Sequence, residues 1–385
     1  MKIVIAPDKF KGSLSAFEFC NAVEKGLQKE MSNIEILQVP LADGGDGTIE
    51  IINHYMQGTF VELQVSNPFF KKIKANYLYG QQQQIAFIEM AEASGVKLLN
   101  HQEYNVMEAT TFGTGELIKD ALNRGVKTVI LGIGGSATND VGVGMATALG
   151  YQFLDKNNKS VHPVGKNLSK IKRIDTSKVH PRLKEVSFKL ACDVSNPLHG
   201  PNGAAHIYAR QKGASEEEVL ILDQGLKDFS KVLDKHFNIT SQKVIGAGAA
   251  GGMGIGAKMF LNGELIPGVE LIHEIANFKD KVKSADWIIT GEGKLDEQTK
   301  SGKTIQGILN IVEKTTKIAA FCGKVDLTKD ECQELGIHYA VDVMSKAENF
   351  EDAFHNTSKY VTQLAENFAK HIICESETSS DQENQ

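Results

Sequence analysis

Residues 2–19 read K-I-V-I-A-P-D-K-F-K-G-S-L-S-A-F-E-F, and their pattern decides the fold class. Residues 2–6 form an apolar run of the length of a buried strand. Ser15-Ala16-Phe17-Glu18 then places a serine and a glutamate at the spacing of a capping box, and Phe19, Val23 and Leu27 fall on one face of the helix it opens. Residues 34–39 give a second strand pattern, and after Ala42-Asp43-Gly44-Gly45-Asp46-Gly47-Thr48 a second helical pattern runs over 49–56. Strand, loop and helix repeated in this way mark a parallel sheet covered on both faces. Ligands of such sheets sit beyond the carboxyl ends of the strands. The loops at 7–15 and 42–48 are therefore candidate walls of a site.

The alternation returns late in the chain. Residues 285–290 read as a strand leading into Gly291-Glu292-Gly293-Lys294-Leu295-Asp296, and 317–321 and 339–343 read as two more. A glycine-richer region lies between the early and late blocks, and 385 residues exceed what one hydrophobic core usually serves. The expected class is α/β: two three-layer α/β domains with a cleft between them. The first, Rossmann-like, is discontinuous (1–66 and 282–374), and the second (67–281) is inserted in it. The all-polar stretch 375–385 reads as a disordered tail.

Composition narrows the function. The formal net charge is −6 with dispersed lysines and arginines, which leaves no electrostatic footprint for nucleic acid or an anionic membrane. Small molecules are the expected partners. Five cysteines, at 20, 192, 322, 332 and 374, form no C-x-x-C pair, so neither a disulfide framework nor a zinc site is expected. No leader pattern and no apolar run of about 18 residues is present, and the expected location is the cytoplasm.

Residues 133–144, I-G-G-S-A-T-N-D-V-G-V-G, follow the apolar run Thr128-Val129-Ile130-Leu131. A strand feeding a glycine-rich loop aims backbone N–H groups at an anion, and Gly134, Gly135 and Ser136 read as such a cradle. Two other glycine patterns are weaker. Residues 246–251 match G-x-G-x-x-G, but little strand pattern precedes them. Ser301-Gly302-Lys303-Thr304 resembles the end of a P-loop, yet the position that needs the upstream glycine holds Glu297.

Asp8, Asp43, Asp46, Asp140, Asp193, Glu292 and Asp296 lie in or beside predicted loops, as do Lys11, Lys212 and Lys294. Phosphoryl transfer requires backbone donors for phosphate oxygens, cations, carboxylates for Mg²⁺ and one carboxylate to accept a hydroxyl proton. All four kinds of group are present.

Several stretches, in order along the chain, resemble the bacterial glycerate kinases: Pro7-Asp8-Lys9-Phe10-Lys11-Gly12-Ser13, Ala42-Asp43-Gly44-Gly45-Asp46-Gly47-Thr48, Gly113-Thr114-Gly115-Glu116, Gly134-Gly135-Ser136-Ala137-Thr138-Asn139-Asp140, Cys192-Asp193-Val194-Ser195-Asn196-Pro197, Gln211-Lys212-Gly213, 246–254 and Thr290-Gly291-Glu292-Gly293. The resemblance spans residues 1 to about 370. It implies phosphorylation of D-glycerate dependent on ATP and Mg²⁺, on a two-domain α/β fold. The sequence departs from the family at Val141, where glycine is usual, and at Ile305, where proline is more common.

The residues then take expected roles. Asp193 follows the buried-strand pattern Phe188-Lys189-Leu190-Ala191-Cys192 and is the expected general base, with Asp43, Asp46 and Asp8 as competitors for that role. Asp43 and Asp46 are otherwise the expected Mg²⁺ ligands. Lys11 is expected in the catalytic centre, on the glycerate carboxylate or a phosphate. Asp8, Ser13, Gly134, Gly135, Ser136, Asn139, Lys212, Glu292 and Lys294 are the expected substrate- or phosphate-binding residues. A non-catalytic binding protein for a small anionic metabolite would need the same glycines and lysines but no base. The sequence leaves open the C2 or C3 hydroxyl as acceptor, and the oligomeric state.

Overall fold

Ile3, Val4 and Ile5 have no exposed surface, because the first strand, Lys2–Ile5, lies inside a sheet covered on both faces. The computed structural model describes residues 1–10, 12–42, 48–297 and 304–382, with side chains to 374. The chain divides into two compact units, Met1–Tyr55 with Val269–Gln385, and Met56–Gly268. The class is α/β, and the first unit is discontinuous.

In the first unit five parallel strands lie in the order Glu35–Gln38, Lys2–Ile5, Trp287–Thr290, Lys317–Cys322, Tyr339–Asp342. Taken in chain order this is 2-1-3-4-5, a doubly wound arrangement whose order reverses beside the first strand. The ladder continues past that strand, with Ala6 donating to Ile289 and Asp8 to Gly291. The capping box forms: Ser15 Oγ accepts from the Glu18 amide, and the Glu18 carboxylate accepts from the Ser15 amide at 2.8 Å. The helix it opens, Ala16–Glu30, buries Phe19, Val23 and Leu27 and packs against the last helix, Thr357–Gln382. Gly26 permits that contact, since a Cβ there would lie 2.4 Å from the Thr362 carbonyl. The last helix also covers backbone that the polar composition of 375–385 assigned to a disordered tail, up to Gln382.

The second unit is built on six strands in the order Glu264–Ile266, Ser187–Ala191, Thr128–Gly132, Ile85–Glu89, Lys72–Gly80, Thr59–Ser66. The first four are mutually parallel, and the last two run as an antiparallel pair at the edge. Thr59–Ser66 alternates exposed Glu62 and Gln64 with Val61, Leu63 and the buried Val65, the pattern of a strand covered on one face. Its pairing with Lys72–Gly80 draws the chain into the second unit before residue 67, where the sequence pattern places the junction. No helix among the described residues is long and apolar enough to cross a membrane.

Candidate active site

Gly132 and Ala191 are partners in register on adjacent parallel strands of the second unit, and Ala191 is paired in turn with Ile266. The segments after these strands therefore leave the sheet side by side at one carboxyl edge. They carry the loop 133–140, Asp193 and Gly268. In the loop, Gly135 has φ of +66°, and a Cβ at Gly134 would meet nothing within 4 Å, so this part faces open space. Its base is pinned to the segment 94–96: Val96 donates to the Gly135 carbonyl and Ala137 to that of Ser94, both at 2.9 Å.

Ser136 is buried and accepts from Lys212 Nζ at 2.7 Å, and the same ammonium donates to the Thr138 carbonyl at 2.8 Å. Lys212 is only 4% exposed. Its burial pulls the amine down to about 7, against the attraction of the Asp140 carboxylate. The turn that delivers it ends in Gly213 at φ +94°, where a Cβ would come 2.6 Å from the Tyr104 carbonyl. Two polar atoms of the same loop, Thr138 Oγ1 and Asn139 Nδ2, are buried without a hydrogen-bond partner. Such atoms are costly unless something satisfies them.

Asp140 lies at the foot of the loop and is fully buried. Its carboxylate accepts from the Thr111 amide at 2.8 Å, Thr111 Oγ1 at 2.9 Å, and the amides of Gly142 and Gly144 at 3.1 and 3.2 Å. Burial pushes its carboxyl up, and these four donors oppose that shift. Three of the four are N–H groups that only donate, so the pocket is shaped for the ionised form. Asp140 thus braces the loop from beneath.

The stretch matching G-x-G-x-x-G packs against the same loop. It follows a single 3-10 turn, Ser241–Lys243, rather than a strand. A Cβ at Gly251 would lie 2.1 Å from the Thr138 carbonyl, and one at Gly256 would lie 2.0 Å from that of Val141. Glycine is needed here for backbone against backbone. Asp193 is exposed, and one of its oxygens accepts the Gly268 amide at 2.9 Å.

In the first unit, Asp8 stands where the extended first strand ends, at the point where strand order reverses. It is 8% exposed, with its carboxylate accepting from the Lys9 amide at 2.7 Å and from Thr304 Oγ1 at 2.8 Å. A cavity of about 300 Å³ opens beside it, lined by Lys9, Ser13, Glu18 and Glu50 among others. Glu292 follows the adjacent strand and is half-buried. Lys294 is exposed and held by Asp296 and Asp326 at 2.9 and 2.8 Å, which push its ammonium up. Lys11, Asp43 and Asp46 lie outside the described residues. Among the described residues no three His, Cys, Asp or Glu side chains converge as a metal site.

Comparison with known proteins decides the family. A model of the glycerate kinase family matches residues 3–373. The chain belongs to that family. It is 40% identical over 368 residues to a glycerate kinase of Halalkalibacterium halodurans, covering 95% of this chain and 97% of the relative. It is 38% identical over 370 residues to the glycerate 2-kinase of Escherichia coli, covering 96% and 97%. A crystal structure described as that of a glycerate kinase 2 from Salmonella typhimurium LT2 superposes with a TM-score of 0.86 at 35% identity, covering 98% of this chain and 99% of that one. The protein is thus a kinase.

As a glycerate kinase it carries one departure with a structural consequence. Val141, read from the sequence as a departure from the family's glycine, is buried and adopts φ of +54°, in the left-handed region that favours glycine. The sequence marks neither the Thr111–Asp140 pair of the second unit nor the Asp8–Thr304 pair of the first, because the partners lie 29 and 296 residues apart.

Proposed function

We propose that this enzyme transfers the γ-phosphoryl group of MgATP to a hydroxyl of D-glycerate. The observation that supports the reading is the shared carboxyl edge of the second unit, where an open glycine loop backed by a buried lysine stands beside an exposed, anchored carboxylate. Asp193 takes the hydroxyl proton, the oxygen forms a bond to the γ-phosphorus, and the bond to the β,γ-bridging oxygen breaks to release ADP. Gly134, Gly135, Ser136 and Asn139 supply donors for anionic oxygens, and Asp8, Ser13 and Glu292 contribute binding groups in the first unit. Lys294 is already neutralised by two carboxylates and serves less well as an anion ligand. Lys11 is assigned to a substrate anion. Mg²⁺ bound with the nucleotide would supply charge neutralisation on the phosphates, and ions of this kind are held by one or two carboxylates plus phosphate and water. Asp43 and Asp46, two acidic residues in a glycine-rich run, suit that donor set.

The name of the Escherichia coli relative supports the C2 hydroxyl as acceptor. The test is ATP turnover with D-glycerate, with the product identified by ³¹P–¹H coupling. The expected result is 2-phosphoglycerate and ADP in equal amounts. Binding of glycerate without turnover would leave only a binding protein, and 3-phosphoglycerate would overturn the regiochemistry.

A further inference from the structure

Among the described residues, Lys212 is the one loop cation of this region that the structure places inside the protein. It delivers its ammonium to Ser136 Oγ and the Thr138 carbonyl, beneath a loop whose Gly134 and Gly135 are exposed. An ammonium has only hydrogens to give, so the Ser136 oxygen must accept from it. The serine hydrogen then points elsewhere. We propose that Lys212 is a positioning residue that acts on bound substrate through Ser136, fixing its hydroxyl as a donor toward an anionic oxygen, carboxylate or phosphate, at the glycine loop. The inference rests on the reading of this loop as an anion site.

Three observations carry it. Lys212 is buried, so a ligand would have to displace Ser136 to reach Nζ. The neighbouring Thr138 Oγ1 and Asn139 Nδ2 are buried and lack partners, which marks the loop as incomplete without a ligand. The charge of Lys212 is sustained by Asp140, whose four donors hold it in place below. Other charged groups on the surrounding elements are engaged at the surface, Arg210 with Glu216 and Glu108 with Lys166. Tyr104, on the segment packed against Gly213, stacks on His101. With the amine lowered to about 7, deprotonation allows Nζ to accept from Ser136 and withdraws the donor.

The test is a double-mutant cycle of Ser136→Ala and Lys212→Met, reading KM for ATP and for D-glycerate separately across pH 6 to 9. The substrate whose KM moves tells phosphate from carboxylate. Each single variant is expected to raise that KM about tenfold, the scale of one charge-assisted hydrogen bond, and the double variant no further. The parent KM is expected to rise above pH 7, and both variants to show a flat profile. A further tenfold rise on adding Lys212→Met to Ser136→Ala would overturn the proposal by making Lys212 a direct ligand. Should Lys212→Met fail to fold, Ser136→Ala alone decides, since a pH dependence that persists in it also overturns the proposal. If Ser136→Ala moves neither KM, Ser136 donates nothing to substrate and this proposal is overturned, while the reading of the loop as an anion site, which also rests on Gly134, Gly135 and Asn139, is left to the turnover test.

Discussion

The carboxylate of Asp193 accepts the amide of Gly268 at 2.9 Å, so a side chain beyond the end of one strand is oriented by the backbone two residues beyond its neighbour. Asparagine at 193 offers its own carbonyl oxygen to the same amide. Asp193→Asn should therefore keep its orientation and lose only proton acceptance. The expected result is a kcat lower by about 10²- to 10⁴-fold with KM for glycerate little changed. Steady-state kinetics check it, and a kcat within about threefold of the parent would shift the base to Asp43, Asp46 or Asp8.

Gly251 has φ of +73° and room for no side chain, because a Cβ there would come 2.1 Å from the Thr138 carbonyl. Gly251→Ala combines backbone strain with a displaced loop. Strain of this kind costs about 1–3 kcal/mol, and the clash adds to it. Denaturant unfolding should show at least that loss, and KM for one substrate should rise as the loop shifts. An unchanged midpoint would mean that the brace is not rigid.

At Val141 two terms oppose each other. Left-handed backbone costs a β-branched residue about 1–2 kcal/mol, whereas burying its side chain stabilises by about 1.5–3 kcal/mol. Val141→Gly gains the first and loses the second. Val141→Ala loses most of the second and keeps the strain. Glycine should therefore be the more stable of the two variants by about 1 kcal/mol, the reverse of the order seen in helices. Thermal unfolding of the pair gives the sign directly.

The local features are legible in the sequence. Ser15 and Glu18 announce their cap three residues apart, and the run 128–131 announces the strand that feeds residues 133–140. Partners distant in sequence leave no such trace. Asp140 reads as another loop carboxylate until Thr111 is brought against it, and Asp8 gives no sign of Thr304. The glycines at 246–256 mimic a nucleotide fingerprint because close approach of two backbones and close approach to a phosphate make the same demand on a residue. Thr59–Ser66 leaves a fainter mark than the buried strands, because an edge strand alternates whereas they read as continuous apolar runs.

His273 provides a test of pH dependence away from the catalytic chemistry. It is buried in the first unit, stacked on Phe278 at 4.7 Å and 16°, and neither ring nitrogen has a hydrogen-bond partner. Burial alone pulls its imidazole down from 6.5 to about 4, since the charged form has lost water and gained nothing in return. A depressed histidine favours the native state while both states are neutral, above pH 6.5. Between pH 6.5 and 4 the unfolded chain binds the proton and the folded one does not, so this contribution is lost as pH falls. Over the whole window the difference corresponds to about 3 kcal/mol. Carboxylates titrate in the same range, so the comparison must be made against His273→Phe, which keeps an aromatic ring on Phe278 and removes the titration. The parent should lose more stability than the variant between pH 7 and 4, by up to that amount, in urea unfolding at each pH. Parallel pH profiles for the two proteins would show that the imidazole finds water or a partner and is not held neutral.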